Sequence, residues 1–189
     1  GGSTLTVTFT SLTNGTAYTF TVIATNSVGD SSASIPSSTV TPATVPEAPI
    51  NVSATAGDTQ ATVSWNTLSS TGGSTITGYT VTASPGGQTV TVGGSTLMTT
   101  YTGLTNGTAY TFTVVARNSV GDSGVSTPSS TVTPATVPGT PTDVFATVGD
   151  TQATVSWDAP TSNGGSTITS YTVTAGPEGQ TVTVNGWTH

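Results

Sequence analysis

Side chains able to move protons or attack a bond are scarce in this chain: there is one His, at position 189, no Cys, no Lys, and a single Arg at position 117. Catalysis needs acids, bases or nucleophiles held in positioned pairs, so the sequence reads as non-enzymatic. The carboxylates recur as isolated residues beside glycine, Asp30 and Asp122 in one setting, Asp58 and Asp150 in another. A Ca²⁺ site takes about six to eight oxygens and usually several carboxylates in close succession, so these Asp residues are expected to form turns, and no metal or cofactor is expected. Gly72-Gly73-Ser74-Thr75 and Gly164-Gly165-Ser166-Thr167 are glycine-rich. They lack the Gly-Lys-Ser/Thr ending and the following helix that a phosphate loop requires. Asn14, Asn51 and Asn106 each begin an Asn-x-Ser/Thr triplet, the acceptor pattern for a glycan, but Asn-Gly-Thr reads first as a turn.

The elements that would position such residues follow from composition. Of the 189 residues, 32% are hydrophobic and 5% charged, against about 45–50% apolar (with Gly counted) and about 25% charged in ordinary domains. Cores must therefore be small. Thr and Ser supply the polar surface, and a β-branched Thr packs well on a pleated sheet while its hydroxyl stays hydrated, which marks an all-β chain. A formal net charge of −7 with one fixed cation excludes partners recognised through phosphate, both nucleic acid and anionic membrane surfaces. No stretch of about 18 apolar residues exists to insert in a membrane. Without Cys, stability rests on packing and backbone pairing. The first residue is not Met and no signal segment precedes it, so the chain is expected to be an internal or processed segment.

An internal repeat organises the whole sequence. Gly1-Gly2-Ser3-Thr4-Leu5 returns at 93–97 and the run Asp58 to Trp65 returns at 150–157, both at an offset of 92 residues; sliding the chain by that offset aligns 97 residue pairs without a gap, 71 of them identical. One period is one structural unit. Turn residues cut the central unit into strands expected near 51–54 (A), 61–65 (B), 76–83 (C), 88–92 (C′), 96–102 (E), 109–118 (F) and 130–133 (G). Alternation supports them: Tyr110, Phe112, Val114 and Ala116 share one face, and Thr111, Thr113, Val115 and Arg117 the other. In the first period, Leu5, Val7 and Phe9 alternate with Thr6, Thr8 and Thr10. Prolines 36, 42, 46 and 49, then 128, 134, 138 and 141, punctuate the boundaries. The expected organisation is a C-terminal half unit over 1–44, a complete unit over 45–136 and an N-terminal half unit over 137–189. Thr-Pro-Ala-Thr-Val-Pro serves as a linker, stiffened by fixed φ and too short for free tumbling.

These residues carry a family likeness. Trp65 and Trp157 on strand B, Tyr79-x-Val81 and Tyr171-x-Val173 on strand C, and Leu12 to Tyr18 with its copy Leu104 to Tyr110 resemble the fibronectin type III family over the whole chain, in wording similar to repeats of bacterial secreted and cell-surface proteins. The likeness implies tandem immunoglobulin-like β-sandwiches, with Tyr110, at the end of the motif that Leu12 to Tyr18 shares, as a tyrosine-corner residue whose hydroxyl bonds backbone a few residues upstream. Leu12, Tyr18, Trp65, Tyr79, Val81, Leu104, Tyr110, Phe112, Val114, Trp157, Tyr171 and Val173 form the expected structural cores. Some members of the family bind integrins through Arg-Gly-Asp in the F–G loop. Here that loop reads Asn26-Ser-Val-Gly-Asp30 and Arg117-Asn-Ser-Val-Gly-Asp122, so that activity is not implied, nor is any polysaccharide or other surface ligand indicated.

Two functions remain open at the level of sequence. Near-identical copies with no chemically distinctive loop favour a structural stalk, fibre or filament of end-to-end sandwiches outside the cell, on a cell surface or on a virion. The alternative is an accessory spacer or presentation array attached to a secreted polysaccharide-degrading enzyme or an adhesin. Because 1–44 supplies E, F and G and 137–189 supplies A, B, C and C′, the two halves are complementary, and head-to-tail self-association that completes a sandwich by strand addition is expected. The competing arrangements are a chain folding back on itself and a window on a longer repeating chain whose sandwiches run end to end with an unbroken backbone. Trp187, which stands where the period predicts Ser, is a candidate contact with a neighbouring chain.

Overall fold

The computed structural model describes residues 5–186. Every named element is a β-strand, and the complete sandwich lies in the centre. Strands β1 (Ser53–Ala56), β2 (Gln60–Ser64) and β5 (Met98–Thr102) form one antiparallel sheet in the order β1-β2-β5. Strands β4 (Thr89–Gly93), β3 (Ile76–Ser84) and β6 (Thr111–Asn118) form the second in the order β4-β3-β6. Period-2 alternation turns one side of each strand inward: Ala61 and Val63 from β2, Tyr101 from β5, Tyr79, Val81 and Ala83 from β3, and Phe112, Val114 and Ala116 from β6 make the core, closed by Trp65 and Leu104. Register aligns the inward residues, with Ala61 opposite Tyr101, Val81 opposite Val114 and Ala83 opposite Phe112. Two tilted aromatic pairs span the core, Trp65–Tyr79 with ring centroids 5.2 Å apart and Tyr101–Phe112 at 5.3 Å.

Several strand limits differ from those expected. Strand A starts at Ser53 rather than 51, because Asn51 takes φ 54°, a left-handed conformation outside the ladder. Strand C′ runs one residue later, at Thr89–Gly93, and strand E begins at Met98 because Thr96 N–H closes a turn on Gly93 O at 3.0 Å. Strand F begins at Thr111, its residue Tyr110 standing in an isolated bridge with Val132.

The larger correction is strand G. No ladder forms at 130–133, where Val132 makes only that bridge. Instead Ser123, Ser126 and Ser129 track along β6 at every third residue: their N–H groups donate to Ala116, Val114 and Phe112 carbonyls at 2.8, 3.0 and 2.9 Å. Their hydroxyl oxygens accept the N–H groups of the same three residues at 2.9–3.0 Å. Each hydroxyl then donates to the next residue's carbonyl. Side chains thus replace half of an ordinary ladder, which allows three residues of this edge to run against two of β6, and Pro128 to sit where a donor would be missing. Ser31, Ser34 and Ser37 repeat the arrangement on Ala24, Val22 and Phe20.

Beyond the centre, β7 (Thr142–Gly149) pairs with β8 (Gln152–Asp158), and β9 (Ser170–Ala175) with β10 (Gln180–Asn185). Among the described residues these hairpins do not pair with residues 5–44, so the chain is not folded back to join its own halves. Leu5, Val7 and Phe9 of the first segment are 92%, 79% and 57% exposed, and among the described residues the expected first strand E pairs with no other strand.

Candidate functional site at the repeat joint

The polar residues singled out by type occupy turns. Asp30 accepts from Thr25 Oγ1, and Asp122 faces Arg117 at 3.5 Å with both side chains more than half exposed, a pair worth about 0–1 kcal/mol. Asp58 accepts from Asn106 Nδ2 at 2.8 Å, while Asn106 Oδ1 accepts the N–H of Thr59 at 2.9 Å, tying the A–B turn to the E–F turn within one unit. Asp150, in the corresponding later turn, is exposed. Among the described residues no cluster of three metal-ligating side chains occurs.

The expected core residues separate by segment. Trp65, Tyr79, Val81, Leu104, Tyr110, Phe112 and Val114 are buried in the central sandwich; Leu12, Tyr18, Trp157, Tyr171 and Val173 are half-buried. Both corner tyrosines adopt the implied geometry. Tyr110 Oη accepts the N–H of Thr105 at 3.2 Å and Tyr18 Oη that of Thr13 at 3.0 Å. The backbone donor at Thr13 holds the Tyr18 phenol below its usual pKa, whereas burial pushes Tyr79 and Tyr101 up. Trp187 lies outside the described residues.

Distant parts of the chain also meet in the contact between successive units. At the first boundary, Thr44 N–H in the linker donates to Gly72 O at 2.8 Å and Glu47 N–H donates to Ser70 O at 3.1 Å. Asn118, 3% exposed, donates from Nδ2 to Thr44 O at 2.7 Å and Thr71 O at 2.9 Å. Its Oδ1 accepts from Val120 and Gly121 N–H at 2.8 and 3.1 Å, so every polar atom of this buried amide is used. Gly72 and Gly73 take φ +73° and +82°, and a Cβ would sit 2.2 Å from Thr44 O at the first and 2.3 Å from Gly15 N at the second. Glycine is required here both for its conformation and for the approach of another unit's backbone.

The second boundary reproduces the first. Thr136 N–H donates to Gly164 O at 2.8 Å; Gly164 and Gly165 take φ +70° and +86°, and a Cβ at Gly165 would lie 2.4 Å from Gly107 N. On the near side Gly15 and Gly107 N–H donate to Pro42 and Pro134 carbonyls at 2.8 and 2.9 Å. The linker is therefore clamped between two loops, and short φ-restricted chain plus interlocked backbone leaves little room for independent motion. Sequence reasoning named the Gly-Gly and Asn-Gly pairs only as turns. The usable signal was that Asn14, Gly15, Thr44, Gly72 and Gly73 are all unchanged one period later, while residues 45–97 and 137–189 differ at 17 other positions.

Residues 46–132 match the family model of the fibronectin type III domain. The chain is similar to Endoglucanase B of Cellulomonas fimi, 37% identical over 200 residues that cover 96% of this chain and 18% of that protein. It is also similar to Chitinase A1 of Niallia circulans, 39% identical over 127 residues, covering 62% of this chain and 17% of that protein. Among solved structures, the FN1–FN3 domains of chicken CNTN1 align over 94% of this chain and 65% of theirs with 26% identity and a TM-score of 0.46. The chain thus spans less than a fifth of the length of either enzyme. Residues 46–132, with their buried tryptophan, tyrosine corner and two facing three-stranded sheets, form a domain of the fibronectin type III family.

Proposed function

We propose that this chain is a non-catalytic spacer array within a secreted bacterial enzyme that degrades an insoluble polysaccharide, holding other domains at a set distance and angle. The observation that carries this reading is the joint: two successive boundaries are closed by the same glycine contacts and the same linker clamp, so each unit is placed on the last in the same way. A spacer gains from such a joint because fixed geometry raises the effective concentration of one attached domain beside the other's target. The similarity of nearly the whole chain to part of an endoglucanase supports the enzymatic context. Polymeric polysaccharide cannot cross a membrane, which places such an enzyme outside the cell. A stalk, fibre or filament uses the same joint but has no counterpart in these relatives, and is the weaker reading.

Sequencing outward from the coding region tests the proposal first. A polysaccharide-cleaving or polysaccharide-binding domain in the same polypeptide supports it; further repeats ending in a surface anchor overturn it in favour of a stalk. In the full-length enzyme, deleting 45–136 removes one spacer period and is expected to lower activity on insoluble polymer while leaving activity on a soluble oligosaccharide unchanged.

A further inference from the structure

The sheet β4-β3-β6 has two outer sides, and they are built differently. Beside β6, the serine track takes up both the N–H and the C=O of Phe112, Val114 and Ala116, and Pro128 interrupts whatever backbone remains. That side is sealed against a further strand.

The opposite side, β4, is open. Ala83 N–H donates to Gln88 O at 3.1 Å, which makes 83 and 88 a hydrogen-bonded pair. Along an antiparallel ladder such pairs alternate with non-bonded ones. In the observed register Val81 with Val90 and Tyr79 with Val92 are then bonded, while Thr82 with Thr89 and Thr80 with Thr91 are not. The backbone N–H and C=O of Thr89 and Thr91 therefore point away from β3, and no turn or side chain among the described residues takes them up. None of the usual edge guards is present: Gln88 to Gly93 contains no charge and no Pro, and the β3–β4 register is unbroken. Val90 and Val92 pack against the core, leaving Thr89 and Thr91 exposed. The same Gln-Thr-Val-Thr-Val run forms β10, where Val184 faces Tyr171 as Val92 faces Tyr79.

We propose that β4 is a lateral docking strand for a second copy of this chain, whose own β4 adds antiparallel about a two-fold axis at Val90. This register sets Thr89 opposite Thr91 of the copy, the two positions whose backbone faces outward, so four N–H···O bonds form. Val90 meets Val90 of the copy on one face, flanked by Val92 opposite Gln88, and threonine meets threonine on the other, in a six-stranded sheet of order β6-β3-β4-β4-β3-β6. A second copy is the occupant because the edge is its own complement: alternation matches alternation, and two neutral strands meet without repulsion although each chain carries a net charge of −7. An unrelated peptide would find no pocket or charge here to select it.

Hydrogen exchange on the full chain tests the proposal at the atoms it names. As protein concentration rises from micromolar to millimolar, the amides of Thr89 and Thr91 should gain protection. Association through any other surface leaves those two amides unprotected, and unchanged exchange overturns the proposal. Thr89→Lys with Thr91→Lys sets like charges opposite each other twice across the axis and should weaken dimerisation about tenfold; Thr89→Glu with Thr91→Glu should do the same. An equimolar mixture of the two variants should recover association as a heterodimer, a result that misfolding cannot produce. Association equally strong in each variant alone, or a mixture no tighter than either, rejects the β4 interface.

Discussion

The central sandwich and the segment that follows it hold the same tryptophan–tyrosine pair in two conditions. Trp65 and Tyr79 stack with centroids 5.2 Å apart at 54°, and Trp157 and Tyr171 at 5.4 Å and 56°. The local geometry is thus the same, yet Trp65 is 4% exposed and Ala61 and Val63 are fully buried, while Trp157 and Val155 are half-buried and Ala153 is exposed. The difference is the rest of the unit: β5 extends the sheet of β2 and β6 extends the facing sheet of β3, and among the described residues no such strands flank β8 and β9. Ring pairing and register come from neighbouring sequence, whereas burial comes from the other half of the unit. Strand length responds as well. β7 spans eight residues where β1 spans four, and it carries Phe145 and Val148 where β1 has Ser53 and Ala56, residues with higher strand propensity.

Truncating the two tryptophans separates cover from local geometry with the largest expected effect. Trp65→Ala should destabilise the central sandwich by about 3–5 kcal/mol, the cost of an emptied core site. Trp157→Ala should leave that unfolding transition in place, as read by urea denaturation followed by circular dichroism. Equal losses from the two changes would show that the segments unfold as one cooperative body and that the comparison is mistaken.

Tyr110→Phe removes one hydroxyl and leaves the Thr105 N–H without its acceptor. The expected loss is about 1–3 kcal/mol for a stranded donor, measured in the same denaturation experiment. A neutral result would mean that water replaces the phenol at that corner.

Much of this fold was legible in the sequence because its signals are local. The inward face of β6 follows from the alternation of Tyr110, Phe112, Val114 and Ala116, and the tyrosine corner from the family likeness of the run Leu104 to Tyr110. The serine-lined edge escaped because its period is three and its hydroxyls stand in for backbone, so neither helical nor strand periodicity reports it. Ser-x-x-Ser-x-x-Ser, present twice, was the available signal. The joint escaped for a different reason. Gly15 and Gly73 lie far apart in the chain, and each alone satisfies a turn, so only the packing of unit on unit reveals that both also accommodate the other's backbone.

At the joint, Gly73→Ala should force Gly15 and Gly73 apart, since the added Cβ has only 2.3 Å to the Gly15 nitrogen. Left-handed backbone at a non-glycine residue costs about 1–2 kcal/mol locally. Opening of the joint should appear in small-angle X-ray scattering as a broader distribution of interatomic distances, with the strands of the central sandwich intact by circular dichroism. Gly93→Ala, at the end of β4 where an added Cβ would meet nothing within 4 Å, is the control and should leave the scattering curve unchanged. If both variants scatter alike, the clamp does not set the angle between units.

The smallest effect compares the central unit with the first at a single atom. Tyr101 is 1% exposed and its hydroxyl has no hydrogen-bond partner; one period earlier the chain carries Phe9. A buried hydroxyl without a partner is a liability of about 1–3 kcal/mol on desolvation alone, offset in part by the contacts of its oxygen. Tyr101→Phe should therefore be neutral or stabilising by up to about 1 kcal/mol at neutral pH, the opposite sign from Tyr110→Phe. The same substitution should flatten the alkaline limb of the stability profile. Burial raises the Tyr101 pKa above the ordinary value of a phenol, so the unfolded chain releases this proton first, and stability present below the unfolded pKa is lost as pH climbs from the unfolded toward the folded pKa. Phe cannot ionise, so its variant should lose less stability than the parent between neutral pH and the alkaline range, with Tyr79 left to supply the remaining slope. Identical pH profiles for parent and variant would place the Tyr101 hydroxyl in contact with solvent and remove it as a difference between the two units.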